Sequence, residues 1–235
     1  GSLLWDEAGI DGEPGSAWAC KVADELAGAG QRVLADTTAF GVFDHNLVSL
    51  WQRRAGWPDR QWRVRAQAAI VAAGAIERPL VFPDNDRPGV MSAEAGLAYL
   101  KLHGVLVGKR LVLAANNDKA LGAAEPLRAA GAAVTVTDLR QGRTVDGVHG
   151  TSGVEAVTVS GRRIEADCLL VSGGFTPTVH LFCQARGRLR YDDGIAAFVP
   201  GDPVPGMVVP ADEQYGACRR GPVQGRGPDR NVRDR

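Results

Sequence analysis

A short run of small apolar residues that ends at a glycine most constrains how this chain can fold. Ala69-Ile70-Val71 is uninterrupted and apolar, and the run stops at Gly74. Such a run is typical of a parallel strand covered by helices on both faces. Glycine at its carboxyl end lets a second backbone or a nucleotide approach closely. The pattern predicts an α/β protein with a ligand outside the strand ends, or alternatively a buried strand followed by an irregular loop.

A second segment has the spacing of a nucleotide-binding β-α-β unit. A strand at 110–113, a turn and a helix to Ala130 precede a strand at 133–137, which ends at Asp138. An acidic residue about 20 positions beyond the turn is placed to bind a ribose hydroxyl. We therefore predict cofactor contacts from Asp138 and from the residues of the turn, which are Asn116, Asn117, Asp118 and Ala120.

This turn departs from the glycine pattern G-x-G-x-x-G, which occurs nowhere in the chain. Ala115 and Asn117 stand at the first two glycine positions, where side chains crowd a pyrophosphate. Asparagine tolerates a left-handed backbone, which would let such a turn form. Pro126 falls inside the expected helix and predicts a kink. Two interpretations stay open: a nucleotide site, or a Rossmann-like scaffold that holds no nucleotide.

Charge and cysteine patterns exclude several classes of protein. The chain has 27 basic and 27 acidic residues, so no overall field attracts nucleic acid or an anionic membrane. Its four cysteines are scattered, which argues against a disulfide framework or a cysteine metal site and favours reduced thiols. No apolar run approaches the ~20 residues needed to span a bilayer. We expect a cytoplasmic protein that binds neither nucleic acid nor membrane.

Several motifs in combination resemble the alpha subunit of heterotetrameric sarcosine oxidase. The longest are GAIERPLVF at 74–82 and NDRPGVM at 85–91. The shorter ones are Phe43-Asp44-His45-Asn46, Asn116-Asn117-Asp118, Val171-Ser172-Gly173-Gly174 and Phe198-Val199-Pro200-Gly201. The resemblance implies a Rossmann-like two-domain FAD/NAD(P)-binding fold of the glutathione-reductase type.

The same resemblance implies a division into domains. The first residues, Gly-Ser-Leu-Leu, match the segment just after the family's first β-α-β unit. The first domain is therefore expected to lack that unit, and the chain to be truncated at both ends. Residues 1–104 and 179–209 are expected to form this partial domain, and residues 105–178 an inserted NAD-binding-like domain. Residues 210–235, rich in Gly, Pro, Arg and Asp, are predicted to be disordered.

The resemblance further implies a cofactor and partner subunits. The expected cofactor is NAD, or FAD, while the catalytic flavin is expected on a partner subunit that oxidises sarcosine to glycine and formaldehyde. In the family, the segment at Thr38 lies beside the adenine of the dinucleotide. The expected contacts in the first domain and at the return to it are Thr38, Ala39, Gly74, Ala75, Gly173 and Gly174.

No group of residues resembles an amine-oxidising active site, so no catalytic residue and no metal ligand is predicted. His45 follows Asp44, but adjacent residues of a strand point to opposite faces, so we interpret His45 as structural. Three hypotheses stay open. The chain is the dinucleotide-binding part of a sarcosine oxidase-like subunit, a non-catalytic fragment that binds no cofactor, or a subunit of a related opine or glycine dehydrogenase.

Overall fold

The computed structural model describes residue 10 and residues 12–209. The helices in this part of the chain are α1 (Gly15–Gly28), α2 (Ala93–His103), α3 (Asp118–Leu121), α4 (Ala124–Ala129) and α5 (His180–Gln184). The strands are β1 (Thr37–Phe43), β2 (Leu47–Gln52), β3 (Arg60–Arg65), β4 (Ala69–Ile70), β5 (Ala75–Glu77), β6 (Val90–Ser92), β7 (Arg110–Ala115), β8 (Ala133–Asp138), β9 (Val145–His149), β10 (Ala156–Val159), β11 (Arg162–Glu165), β12 (Cys168–Ser172), β13 (Phe175–Pro177), β14 (Leu189–Asp192), β15 (Ala197–Pro200) and β16 (Met207–Val208).

A four-stranded parallel sheet forms the centre of the best-packed part of the molecule. Its strand order is β6-β12-β7-β8. The central strand β12 is buried along its whole length, and its Leu169 pairs with Val90 on one side and with Val112 on the other. Parallel strands joined by crossover helices confirm the predicted α/β class and its Rossmann-like fold.

Two different layers cover this sheet. Helices α2 and α4 pack on one face, where Leu127 and Leu170 are fully buried in a shared cluster. The antiparallel sheet β9-β10-β11 packs on the other face, where Val157 meets Val112 and Leu169. The alternation of Leu169 and Leu170 between two apolar clusters explains why β12 is apolar at nearly every position.

Strand β6 and helix α2 belong to this sheet although they precede residue 105. Ser92 ends β6 and caps α2, accepting a hydrogen bond from the Ala95 N–H at 3.2 Å. Gly104 then ends the helix with a left-handed backbone (φ 66°), which glycine adopts readily. The division between residues 104 and 105 stays a proposal, and the pairing of β6 with β12 favours a boundary near Gly89.

The three-stranded antiparallel sheet β1-β2-β3 contains a strand pair, β2 and β3, on either side of the segment at residues 53–59. Asp44 and His45 were predicted to lie in a strand, but they lie in the turn between β1 and β2. These residues form a short 3-10 turn in which His45 has a φ of 60°. The Asp44 carboxylate lies 3.3 Å from the Arg186 guanidinium. The prediction that Asp44 and His45 point to opposite faces of a strand is therefore wrong.

Strand β4 is shorter and less covered than predicted. It pairs in parallel with β16, and Val71 just beyond it is buried against Phe182 and Met207. Ile70, however, is 72% exposed. The prediction of a strand buried on both faces is wrong, because within the described residues only the face of Val71 is covered.

Pro126 does not kink a long helix, because two short helices replace the single helix predicted to end at Ala130. The chain breaks at residues 122–123, between α3 and α4. Pro126 thereby falls in the first turn of α4, where a backbone N–H has no partner within the helix. The missing N–H of Pro126 therefore costs no hydrogen bond.

In residue 10 and residues 12–209, no helix is long and apolar enough to cross a membrane. The tail at 210–235, predicted to be disordered, and Cys218 within it lie outside the described residues.

Leu127→Ala is expected to lower the free energy of unfolding by about 2–5 kcal/mol, because Leu127 is fully buried and alanine leaves a cavity. Leu102→Ala on α2 is the matched control, since Leu102 is 46% exposed. Urea unfolding followed by far-UV circular dichroism measures both. Equal losses in the two variants would contradict the described packing of α4 on the sheet.

Candidate functional site

The carboxyl ends of the parallel strands form one edge of the sheet, where most of the predicted second-domain residues meet. Strands β12, β7 and β8 end there at Ser172, Ala115 and Asp138. The Asn116 N–H donates to the Ser172 carbonyl at 3.2 Å, which joins the turn after β7 to the end of β12. Ligands of open α/β sheets bind at such an edge, so this is the candidate second nucleotide site.

Asn117 completes the turn with its own side chain. Its Oδ1 accepts a hydrogen bond from the Ala120 N–H at 2.9 Å, and its Nδ2 donates to Ser172 Oγ at 2.9 Å. The left-handed backbone considered for Asn117 is not adopted. The residue is extended (φ −146°, ψ 150°), which is the conformation of an N-cap.

This cap uses a donor that a phosphate would need. A pyrophosphate binds the free N–H groups at a helix N-terminus, and the Ala120 N–H is already bonded to Asn117. Helix α3 has only four residues, so its dipole contributes little. The Ala115 methyl group is fully buried in the core between the sheet and its helices, so it does not face a ligand. The turn therefore satisfies its own polar groups.

Asp138 is bound by a residue that the sequence analysis did not single out. The Arg140 guanidinium lies 2.8 Å from Asp138 Oδ2 and 2.7 Å from Asp118 Oδ1. Hydrogen bonds from Arg140 hold the pKa of Asp138 below its usual value, while the two carboxylates raise the pKa of Arg140. Spacing from the turn identified Asp138, but only the folded chain brings Asp118 into the same cluster.

Gly173 and Gly174 lie against the chain at Arg78, and Gly174 is also near the Asn116 side chain. The Gly173 N–H donates to the Arg78 carbonyl at 2.7 Å, and Arg78 Nε donates back to the Gly173 carbonyl at 3.0 Å. A Cβ at Gly173 would lie 3.1 Å from the Pro79 carbonyl. This close backbone approach explains the glycine at 173 without a cofactor, and cofactor contact by the two glycines stays a proposal.

Gly74 and Ala75 lie where the first-domain segment meets β13. Gly74 has a φ of 70°, and its carbonyl accepts a hydrogen bond from the Thr178 N–H at 2.9 Å. Ala75 pairs with Pro177 across the β5-β13 ribbon. Among the described residues, leaving out its chain neighbours, no atom lies within 4 Å of a Cβ built on Gly74, so its positive φ rather than a close contact accounts for the glycine.

Thr38 lines a wide surface cavity of about 500 Å³ on the β1-β2-β3 sheet. Two aromatic side chains flank it, Phe40 (46% exposed) and Trp51 (38% exposed). Asp36 and Arg53 complete its lining. Exposed rings of this kind can stack on a planar base.

Ala39 and Thr38 do not share a cross-strand neighbour. Ala39 pairs with Leu50, whereas Thr38 pairs with Trp51. Successive residues of a strand point to opposite faces, so a ligand in the cavity can contact the Thr38 side chain but only the backbone of Ala39.

A smaller cavity beside α2 is lined in part by Glu77, a residue of the GAIERPLVF motif that was not predicted as a site residue. Its Oε2 accepts a hydrogen bond from the Glu94 N–H at 2.8 Å. Lys119 pairs with Glu94 at 3.0 Å and lies 4.4 Å from the centre of the Phe175 ring. Burial raises the pKa of Glu77, and hydrogen bonds from Ser172 and the Glu94 N–H partly oppose the rise. The periodicity of the sequence does not predict the contact between Glu77 and the Glu94 N–H, which joins β5 to α2.

The buried thiol of Cys168 is unsuited to act as a nucleophile, and the described residues contain no cluster of metal ligands. Burial raises the pKa of Cys168 to about 12, so this core thiol stays protonated near neutral pH. No group of three or more potential metal ligands is present within residues 12–209.

The central parallel sheet, its two covering layers and the self-bonded turn after β7 make up a Rossmann-like α/β fold, which is shared by solved structures of FAD/NAD(P)-dependent oxidoreductases. L-Proline dehydrogenase from P. horikoshii has this fold, with a TM-score of 0.69 and 24% identity over 89% of this chain and 42% of its own. A water-forming NADH oxidase from Lactobacillus brevis, bound to NADH, has a TM-score of 0.54 and 15% identity, covering 79% of this chain and 47% of its own. No protein-family model matches the chain.

Comparison of amino-acid sequences identifies more specific relatives than the fold does. The sarcosine oxidase alpha subunit of Corynebacterium sp. (strain U-96) is 36% identical over 87% of this chain, and that of Rhizobium meliloti (strain 1021) is 37% identical over 89%. The chain is therefore a homologue of sarcosine oxidase alpha subunits, as its motifs indicate. It spans about a quarter of the length of these relatives, 26% and 24% respectively.

Glu77→Gln is expected to change how stability depends on pH. Because the pKa of Glu77 is raised, the folded state binds the proton more tightly than the unfolded state. The stabilisation that the bound proton provides is complete below the ordinary pKa of 4.5. It is lost as the pH rises through the raised pKa of Glu77 in the folded state. Glutamine cannot ionise, so the variant should lose less stability than the wild type over that rise.

Thermal unfolding of both proteins between pH 4 and pH 8 measures this difference. Glu165→Gln is the matched control, because Glu165 is exposed at the end of β11. A wild-type protein that gains stability relative to Glu77→Gln as the pH rises would contradict the described burial of Glu77.

Proposed function

We propose that this chain is the dinucleotide-binding part of a sarcosine oxidase-like flavoprotein subunit. The supporting observation is the identity of 36% that extends over 87% of the chain. The proposed reaction of the whole enzyme is the oxidative demethylation of sarcosine to glycine, formaldehyde and hydrogen peroxide. The proposed partners are the other subunits of a hetero-oligomeric oxidase, one of which carries the catalytic flavin. A cytoplasmic location, without nucleic-acid or membrane binding, is part of the same proposal.

The proposed cofactor of this chain is NAD, or FAD, bound at Thr38, Ala39, Gly74 and Ala75. The cavity beside Thr38 has aromatic walls suited to an adenine ring. The second set, Asn116, Asn117, Asp118, Ala120 and Asp138, with Gly173 and Gly174, is proposed as a weaker contact region.

The alternative is a cofactor-free chain whose Rossmann-like folds serve as scaffold. It is favoured by the Asn117 cap and by the Arg140 ion pairs, which use the polar groups that a nucleotide would bind. A subunit of an opine or glycine dehydrogenase is a further candidate, but the curated relatives support the sarcosine oxidase proposal over it.

The nucleotide content of the purified chain decides between the first two. We expect NAD or FAD at near one mole per mole of chain after denaturation, separated and quantified by chromatography. A chain that releases no nucleotide, even after incubation with millimolar NAD, would establish the cofactor-free alternative.

Thr38→Trp is expected to lower the nucleotide content by more than half, because the larger ring fills the cavity beside β1. Thr176→Trp on β13 is the matched control, since Thr176 is also an exposed strand residue. Chromatographic quantification on both variants, with circular dichroism to check folding, gives the comparison. Equal content in the two variants would remove Thr38 from the proposed contacts.

A further inference from the structure

Both oxygens of the carboxylate at the end of β8 already accept hydrogen bonds from one residue. Asp138 Oδ1 accepts hydrogen bonds from the Arg140 backbone N–H (3.0 Å) and from Arg140 Nε (2.9 Å). Its Oδ2 accepts from Arg140 Nε (3.2 Å) and Nη2 (2.8 Å). These four contacts come from three N–H groups, because the single Nε–H lies near both oxygens, and they occupy most of the roughly four lone-pair positions of the carboxylate. A ribose diol would therefore compete with Arg140 for this carboxylate.

The same guanidinium extends across the opening of the site. Arg140 Nη2 also donates to Asp118 Oδ1 at 2.7 Å, and Asp118 is the first residue of α3. The Asp138 side chain is only 18% exposed, so it lies behind the arginine, while that of Asp118 is 82% exposed at the rim. Arg140 therefore connects the end of β8 to the start of α3, between which an adenosine would enter.

We propose that Arg140 occupies the ribose position of the second domain and thereby closes this site to nucleosides. The arginine is part of the chain, so it is always present beside Asp138 and competes with any ligand that needs this carboxylate. The inference concerns the second domain alone and does not depend on nucleotide binding beside Thr38.

The closure is expected to be modest in strength. The Arg140 side chain is 44% exposed, so water and salt weaken its ion pairs. Its several charge-assisted hydrogen bonds to one carboxylate make it stronger than a single exposed pair. Removing the guanidinium should therefore raise affinity by about five- to tenfold rather than by orders of magnitude.

Arg140→Gln with adenosine as the probe tests the proposal. Adenosine has the ribose but no phosphate, so the Asn117 cap does not affect the result. Isothermal titration of the full chain is expected to show about five- to tenfold tighter binding to Arg140→Gln than to the wild type. Arg143→Gln is the matched control, because Arg143 interacts with Asp138 only by Coulombic attraction. It is expected to bind adenosine as the wild type does.

A double variant localises the gain. In Arg140→Gln/Asp138→Ala the carboxylate is absent, so the gain in adenosine affinity is expected to disappear. A gain that survives in the double variant would place the adenosine elsewhere, for example beside Thr38, and would overturn the proposal. Asp118→Ala keeps the pair between Arg140 and Asp138 but removes the second anchor. It is expected to show a smaller gain, and it tests the idea should Arg140→Gln fail to fold.

Two results would refute the closure directly. The first is an Arg140→Gln protein that melts as the wild type does and binds adenosine no better. The second is a wild-type protein that binds adenosine 2′,5′-bisphosphate more tightly than Arg140→Gln does, because Arg140 would then be a ligand for a phosphate and not a substitute for the ribose. Neither result depends on how much NAD or FAD the purified chain releases.

Discussion

The hydrogen bonds of β12 to β6 on one side and to β7 on the other hold the candidate site together. Strand β12 is the last of the four strands of this sheet in the sequence, but it lies between β6 and β7, which come much earlier in the chain. Its final residue, Ser172, accepts hydrogen bonds from Asn116 and Asn117, so the turn after β7 takes its shape only once β12 is in place. Contacts of such long range make this site depend on the complete sheet and not on its local sequence.

Several polar groups of the chain pair with one another along the carboxyl edge. Ser92 and one oxygen of Glu77 bind N–H groups at the start of α2, Asn117 binds one in α3, and Arg140 binds both oxygens of Asp138. Buried or half-buried donors and acceptors without partners would destabilise the fold, so this pairing stabilises the edge in the absence of a ligand. The cost is a lower affinity for any ligand that needs the same groups.

The sequence predicted elements whose ends are set by local chemistry. Helix α2 lies between Ser92 and Gly104, residue types that typically begin and end helices, because a cap and a left-handed glycine act within a few residues. Elements that depend on distant partners were harder to predict. The exposure of Ile70 depends on what packs over β4, and the break before Pro126 depends on how α4 fits the sheet. The role of Arg140 required two carboxylates from different elements to meet in space, which spacing along the chain does not reveal.

The small sheet of β4 and β16 has a consequence for how the protein behaves in solution. Ile70 and Val208 pair across it and are 72% and 54% exposed, so two apolar side chains stand together on a strand pair that, within the described residues, has no further neighbour. Open strand edges beside apolar surface favour pairing between molecules. Self-association is therefore expected to increase as the purified chain is concentrated, with this short strand pair as one of its contact surfaces.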